Sequence, residues 1–283
     1  MKINLGDIYR QSAAKLAGLY DVPENESVAM LLVEHMLQVS RRQIMLGDTV
    51  ETDADAIRKL EAGIARSLDH VPVQHIMKQA HFYGRDFSVS PDVLIPRPET
   101  EELVHLVLQA YKNRPIEVLD IGTGSGCIAI TLALEHKAAE VTAVDVSPDA
   151  LKMARSNAAR LGAKVAFCQM DVLKEGLQQN ALDVIVSNPP YIPDRERKEM
   201  EARVVRYEPG VALFVPDHDP LLFYRRLGAL GRTHLKQGGG LFVEIHESYG
   251  REVVDLYLSQ AYEEVECLND MQGKPRMVRA VNP

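Results

Sequence analysis

Two hydrophobic rhythms divide this chain. Residues 6–20 carry Ile8, Ala13, Leu16 and Leu19 near helical spacing, and a second helix is predicted from Pro23, at a first-turn position, through Met30, Leu31, Val33 and Leu37. A third starts at Asp53, with Ile57, Leu60, Ile64 and Leu68 at spacings of three and four. The three helices form a small bundle over residues 1–70, with Leu31, Leu37 and Ile64 expected in its core. Such a bundle suits partner recognition or simple capping. Residues 71–98 change character: alternation over 81–89 predicts a hairpin linker, and Leu94-Ile95-Pro96-Arg97-Pro98-Glu99-Thr100-Glu101 reads as a stiff loop entering a helix that runs to about residue 112. Arg97 and Glu99 are expected to order this segment through ion pairs.

From Glu117 onward, short apolar runs alternate with helical stretches, the pattern of a mostly parallel sheet covered on both faces. Strands are expected at 117–121, 140–145, 164–169, 182–187 and 240–246. Ser147-Pro148-Asp149 supplies an N-cap and a first-turn proline to a helix that ends at Gly162. The late apolar stretches 263–268 and 275–281 are joined by a short turn-rich link, which demands an antiparallel pair. The expected fold class is α/β, with residues 99–283 forming the sheet domain.

Composition narrows the setting. The 283 residues are 46% apolar and 25% charged, with a net charge of −8. That is ordinary for a globular protein of two domains. No apolar stretch reaches the ~20 residues that span a bilayer, and the N-terminus lacks the layout of a signal peptide. Cys127, Cys168 and Cys267 have no metal or disulfide spacing, which suggests free buried thiols in a reducing, cytoplasmic compartment. No dense basic run argues for a nucleic-acid surface, and a partner with a basic surface fits the charge better. The histidines, His75, His81 and His246 included, show no metal-ligand spacing.

Two motifs carry the chemistry. The loop Gly122-Thr123-Gly124-Ser125-Gly126 follows the first sheet strand, where compact glycines let a cofactor approach the backbone. A dinucleotide fingerprint wants a glycine where Cys127 stands, which counts against NAD. Asp145, at the next strand end, is placed to accept from ribose hydroxyls. Asp171 could accept from an adenine amino group, with Val172 beside the ring. This spacing resembles the Rossmann-like methyltransferases that bind S-adenosylmethionine. The second motif is Asn188-Pro189-Pro190-Tyr191, at the end of the run Asp183 to Ser187. Paired prolines cannot continue a ladder, so they hold a rigid loop whose carbonyl oxygens and side-chain amide face outward. Such acceptors suit a planar NH2 group. They would orient its nitrogen toward a methyl donor and stabilise the positive charge that grows there. Tyr191 is expected as a wall against the flat group.

With these motifs in hand, the chain resembles the bacterial peptide-chain release factor glutamine N5-methyltransferase family over nearly its whole length. The resemblance rests on Phe82-Tyr83-Gly84, the segment Leu94 to Glu101, Asp120 to Gly126, Asn188 to Tyr191, Tyr207-Glu208-Pro209 and the tail Gly273 to Val278. It implies a class I methyltransferase fold, and methylation of the glutamine in the Gly-Gly-Gln motif of class I release factors. It also implies donor contacts at Gly122 to Gly126, Asp145, Val172 and Asn188, and substrate contacts at Asn188 to Tyr191. The helical domain would help hold the release factor. Asp217-His218-Asp219-Pro220 and Glu244-Ile245-His246 depart from the family's usual Asp-Gly turn and Glu-Ile-Gly. The alternatives are a nucleic-acid amino methyltransferase, which would want a basic groove or a base-recognition module, a methyltransferase for a ribosomal protein, and a non-catalytic scaffold.

Overall fold

The computed structural model describes residues 1–112, 114–177 and 181–283. The chain falls into two compact units: Met1–Gln79 with Glu201–Tyr207, and Ala80–Met200 with Glu208–Pro283.

The first unit is built on helices Leu5–Leu16, Val22–Leu37, Arg41–Leu46, Ala54–Leu68 and Val73–Met77. Three of their N-termini are capped by short polar side chains. Asn4 accepts from Asp7 N–H, Asp53 accepts from Ala56 N–H, and Ser40 with Gln43 forms a reciprocal capping box. Leu5, Leu16, Leu32, Val33, Ile44, Leu60 and Ile64 fill the core. Leu31 does not belong to it: the side chain is exposed, and its neighbour Leu32 takes the inward position. Lys2–Asn4 pairs antiparallel with Thr49–Glu51, strands too short for alternation to reveal. The segment 201–207 joins this unit through Arg203, which pairs with Glu24 at 2.5 Å, and through the Tyr207 hydroxyl, which donates to the Asp69 carbonyl at 3.0 Å.

The second unit holds a seven-stranded sheet. Its strands are β1 (Ile116–Ile121), β2 (Ala139–Asp145), β3 (Ala166–Gln169), β4 (Leu182–Ser187), β5 (Leu235–Glu244), β6 (Glu263–Asn269) and β7 (Pro275–Val281). The order is β6-β7-β5-β4-β1-β2-β3, with β7 antiparallel to both neighbours and the remaining pairs parallel. Successive residues go to opposite cores, as the two-residue period demands. Val118, Val184, Val186 and Phe242 pack under helices Pro98–Ala110 and Cys127–Glu135, whereas Leu119, Ile185, Leu241 and Val243 pack under Leu222–His234 and Gly250–Ser259. β5 starts earlier than expected, at Leu235, and its register shifts before Gly240. It stops at Glu244 because His246 leaves the sheet to cap a short turn, accepting from Ser248 N–H. The thiols also differ from expectation. Cys127 is buried, but Cys168 and Cys267 are exposed because they lie on the edge strands β3 and β6.

The hairpin turns at Tyr83-Gly84, both with positive φ, the geometry of a two-residue turn matched to strand twist. Phe82 and Phe87 meet edge to face at 5.9 Å and are wholly buried beside Leu103 and Val118. Buried Asn157 ties this hairpin to the glycine loop: it accepts from Ser88 N–H and donates to the Ser88 and Ser125 carbonyls, each bond at 2.8 to 3.0 Å. No helix among the described residues is long and apolar enough to cross a membrane. Asn157→Ala strands buried backbone groups at both ends of that bridge. Urea unfolding should show a loss of about 2–4 kcal/mol with an unchanged m-value.

Candidate active site

Parallel register brings the carboxyl ends of β1, β2 and β4 side by side: Ile121 is level with Val144 on one side and Ser187 on the other. The cavity of interest opens at this edge. Gly122, Gly124, Asp145, Asp171, Val172, Asn188, Pro189 and Pro190 all line it. Residues predicted from two separate motifs therefore share one cavity. Thr123, Ser125 and Gly126 do not line it but lie behind the loop and shape it. The Thr123 hydroxyl donates to Asp120 at 2.7 Å, and the Thr123 carbonyl accepts from Gly126 N–H at 2.8 Å. At Gly126, φ is positive, and a β-carbon would stand 2.8 Å from the Ile130 side chain and 3.1 Å from Ala154. Gly122 and Gly124 also have positive φ, but their missing β-carbons would meet nothing within 4 Å. A cofactor can approach bare backbone there.

Asp145 is already partly engaged. One carboxylate oxygen accepts from Gly124 N–H and the other from Ser147 N–H, both at 2.9 Å. Burial raises its pKa, and those backbone donors oppose the shift. Each oxygen keeps a further lone pair for a hydroxyl in the cavity. Asp171 accepts from Leu173 N–H at 3.0 Å and pairs with Lys174 at 2.8 Å, which holds its carboxyl below the usual range. Asp92, Ser147 and Ser187 also line the cavity, and much of the remaining lining is apolar: Val93, Leu94, Met170, Pro209, Val211, Phe223 and Leu227.

Tyr191 departs from its expected place. It does not line the cavity; its hydroxyl donates to Glu244 at 3.1 Å and its ring stands edge-on to His246. His246 in turn hydrogen-bonds Glu196 at 3.1 Å. Asn188 donates through Nδ2 to the Thr100 hydroxyl at 3.1 Å. Arg97 pairs at 2.6 Å with Glu208, whose other carboxylate oxygen accepts from Ile95 N–H at 3.0 Å. The stiff segment before the sheet is thus pinned to Glu208, and Leu94 and Pro209 beside them line the cavity.

Comparison with known proteins is decisive here. Residues 7–77 match the model of the PrmC N-terminal domain, and residues 101–207 match that of the methyltransferase small domain. A release factor glutamine methyltransferase from Bacteroides thetaiotaomicron is 44% identical, covering 94% of this chain and 95% of the relative. One from Bacillus subtilis is 37% identical, covering 95% and 96%. The chain belongs to the release factor glutamine methyltransferase family. Among solved structures, a methyltransferase from Pyrococcus furiosus shares the fold at a TM-score of 0.52 and 17% identity, covering 81% of this chain and 98% of that one. A Thermus thermophilus 16S rRNA methyltransferase, solved with AdoMet and guanosine, shares it at 0.51 and 16%, covering 72% and 50%. The mostly parallel α/β sheet expected from the strand pattern and the methyltransferase family implied by the motifs both stand.

Two residues beside the family's Asn-Pro-Pro-Tyr loop escaped sequence reasoning. Thr100 sits inside a segment noted for its resemblance and Glu244 inside one noted for its departure, but nothing in spacing joins positions 144 apart. Beneath the glycine loop, burial pushes the Asp120 carboxyl up to about 7, against the hydrogen bond from Thr123. The folded state therefore holds this proton where the unfolded chain has released it. Stability from this group is full below the unfolded pKa and is lost as pH rises through about 7. Denaturant titrations at about pH 4 and about pH 8 should show that loss, and Asp120→Asn should flatten it.

Proposed function

We propose that this protein transfers a methyl group from S-adenosylmethionine to the side-chain amide nitrogen, N5, of the glutamine in the Gly-Gly-Gln motif of class I peptide-chain release factors. The observation that carries this reading is the orientation of Asn188. Its Nδ2 is committed to Thr100, so Oδ1 is left as an acceptor at the wall of the cavity that the glycine loop and Asp145 also line.

S-adenosylmethionine supplies an electrophilic methyl group on a sulfonium. The open backbone at Gly122 and Gly124 fits a bulky nucleoside cofactor, and Asp145 offers acceptors for ribose hydroxyls. Asp171, with Val172 and the apolar lining around it, suits an adenine edge and face. Thr123, Ser125 and Gly126 support the binding loop from behind.

An amide nitrogen is a poor nucleophile because its lone pair is delocalised into the carbonyl. The protein's task is orientation. Asn188 Oδ1 and the Pro189 carbonyl accept from the substrate NH2 and turn nitrogen density toward the methyl group. The same acceptors stabilise positive charge that develops on nitrogen, an interaction stronger in the transition state than in the ground state. Pro190 closes the wall, and Tyr191 acts from behind it. The helical unit, which matches the PrmC N-terminal domain, helps hold the release factor. A net charge of −8 favours such a protein partner over nucleic acid or an anionic membrane. The working compartment is the cytoplasm, where release factors act.

Mass spectrometry of release factor, ribosomal proteins and mixed nucleic acids, each incubated with enzyme and donor, tests the substrate. One added methyl on the Gly-Gly-Gln glutamine is expected; label on nucleic acid alone would overturn the assignment. Asn188→Ala should keep the fold and lose about a hundredfold or more in turnover on release factor. Asp145→Ala should weaken donor affinity in calorimetry about tenfold or more, with much less change in turnover at saturating donor.

A further inference from the structure

The proposed chemistry needs Asn188 to face the cavity with its oxygen. A primary amide can flip and present nitrogen instead, at almost no steric cost. Something must choose between the two.

Glu244 ends β5, and its side chain is buried. One carboxylate oxygen accepts from the Thr100 hydroxyl at 2.6 Å and the other from the Tyr191 hydroxyl at 3.1 Å. Thr100, also buried, lies in the first turn of the helix Pro98–Ala110. Its oxygen receives Asn188 Nδ2 at 3.1 Å. Donor capacity settles the direction of this chain. A carboxylate can only accept. Threonine has one hydroxyl proton, and here it goes to Glu244. The Thr100 oxygen can then only accept, and the group of Asn188 that can donate is its NH2. The flipped amide would set oxygen against oxygen, with no proton between them.

We infer that Glu244, acting through Thr100, is a positioning residue that fixes the amide orientation of Asn188 and, through the Tyr191 hydroxyl, the far end of the same loop. This rests on the reading of Asn188 as the acceptor for the substrate amide. Burial raises the Glu244 pKa, while the two hydroxyl donors and the nearby charge of Arg276 oppose that shift. Arg276 is itself held by Asp270 at 3.1 Å, on the hairpin of β6 and β7. The loop's chemistry is thus referred to a helix start and two strand ends rather than to its own four residues.

Thr100→Val and Thr100→Ser separate a hydroxyl relay from a packing role. Val keeps the volume and removes the hydroxyl; Ser restores it. With release factor as substrate, Thr100→Val should lower kcat about tenfold to a hundredfold with little change in KM, because orientation is realised in the transition state. Donor affinity by calorimetry should stay within a factor of about three. Thr100→Ser should recover most of kcat. If Thr100→Val turns over like the parent, or if Ser is no better than Val, the relay is overturned. Should Thr100→Val fail to fold, Glu244→Leu asks the same question: with no acceptor there, the Thr100 proton is free to turn to Asn188 and release the flip, so kcat should fall, and an unchanged kcat would overturn the relay. A parent enzyme that methylates no release factor defeats the functional reading instead, so the two failures are distinguishable.

Discussion

The parallel register of β1, β2, β4 and β5 is the constraint on which the site depends. Parallel neighbours hydrogen-bonded along their length must end at the same edge of the sheet. Ile121, Val144 and Ser187 are therefore level, and Ser187 is level with Val243. The residues that follow are Gly122, Asp145, Asn188 and Glu244. Four points widely separated in sequence become one rim without any contact among them having to drive the convergence. The cores on either face hold that register in place. A one-residue slip would exchange the Val184 and Ile185 faces and break both clusters together.

Burying ionisable groups at this rim carries a desolvation cost, and the fold offsets it with donors from distant segments. Glu208 receives Arg97 and a backbone amide, Glu244 receives two hydroxyls, and Asp120 receives Thr123. Truncating one partner of a satisfied buried group costs more than the bond was worth, because the remaining group stays dehydrated. Such groups hold their loops in one geometry. The Arg97–Glu208 pair does this for the apolar side of the cavity, and the Glu244 chain does it for the acceptor side.

The chemistry proposed for Asn188 asks little of proton transfer and much of direction. No general base is required if the nitrogen is methylated first and loses its proton afterwards. That places the weight on rigid acceptors. Paired prolines remove backbone freedom, and the relay through Thr100 removes the remaining freedom of the amide. The apolar lining of Val93, Phe223 and Leu227 strengthens each polar contact by excluding water around it.

Much of this was legible in the residues. Alternating apolar runs and helical stretches specify a parallel sheet because period and length are local properties. Ser147, Pro148 and Gly162 mark their helix because capping is local too. The glycine loop and Asn-Pro-Pro-Tyr could be read because their chemistry lies in consecutive residues. Other features had no such signature. Leu31 and Leu32 are equally apolar, and only the packed bundle decides which faces inward. Cys168 and Cys267 became exposed through strand order, which no short window encodes. Tyr191 turned from the cavity toward Glu244, and Thr100 met Asn188, because buried hydroxyls must find partners and those partners come from other strands and helices. Local chemistry determined which side chains could act; long-range burial and hydrogen bonding decided which way they point.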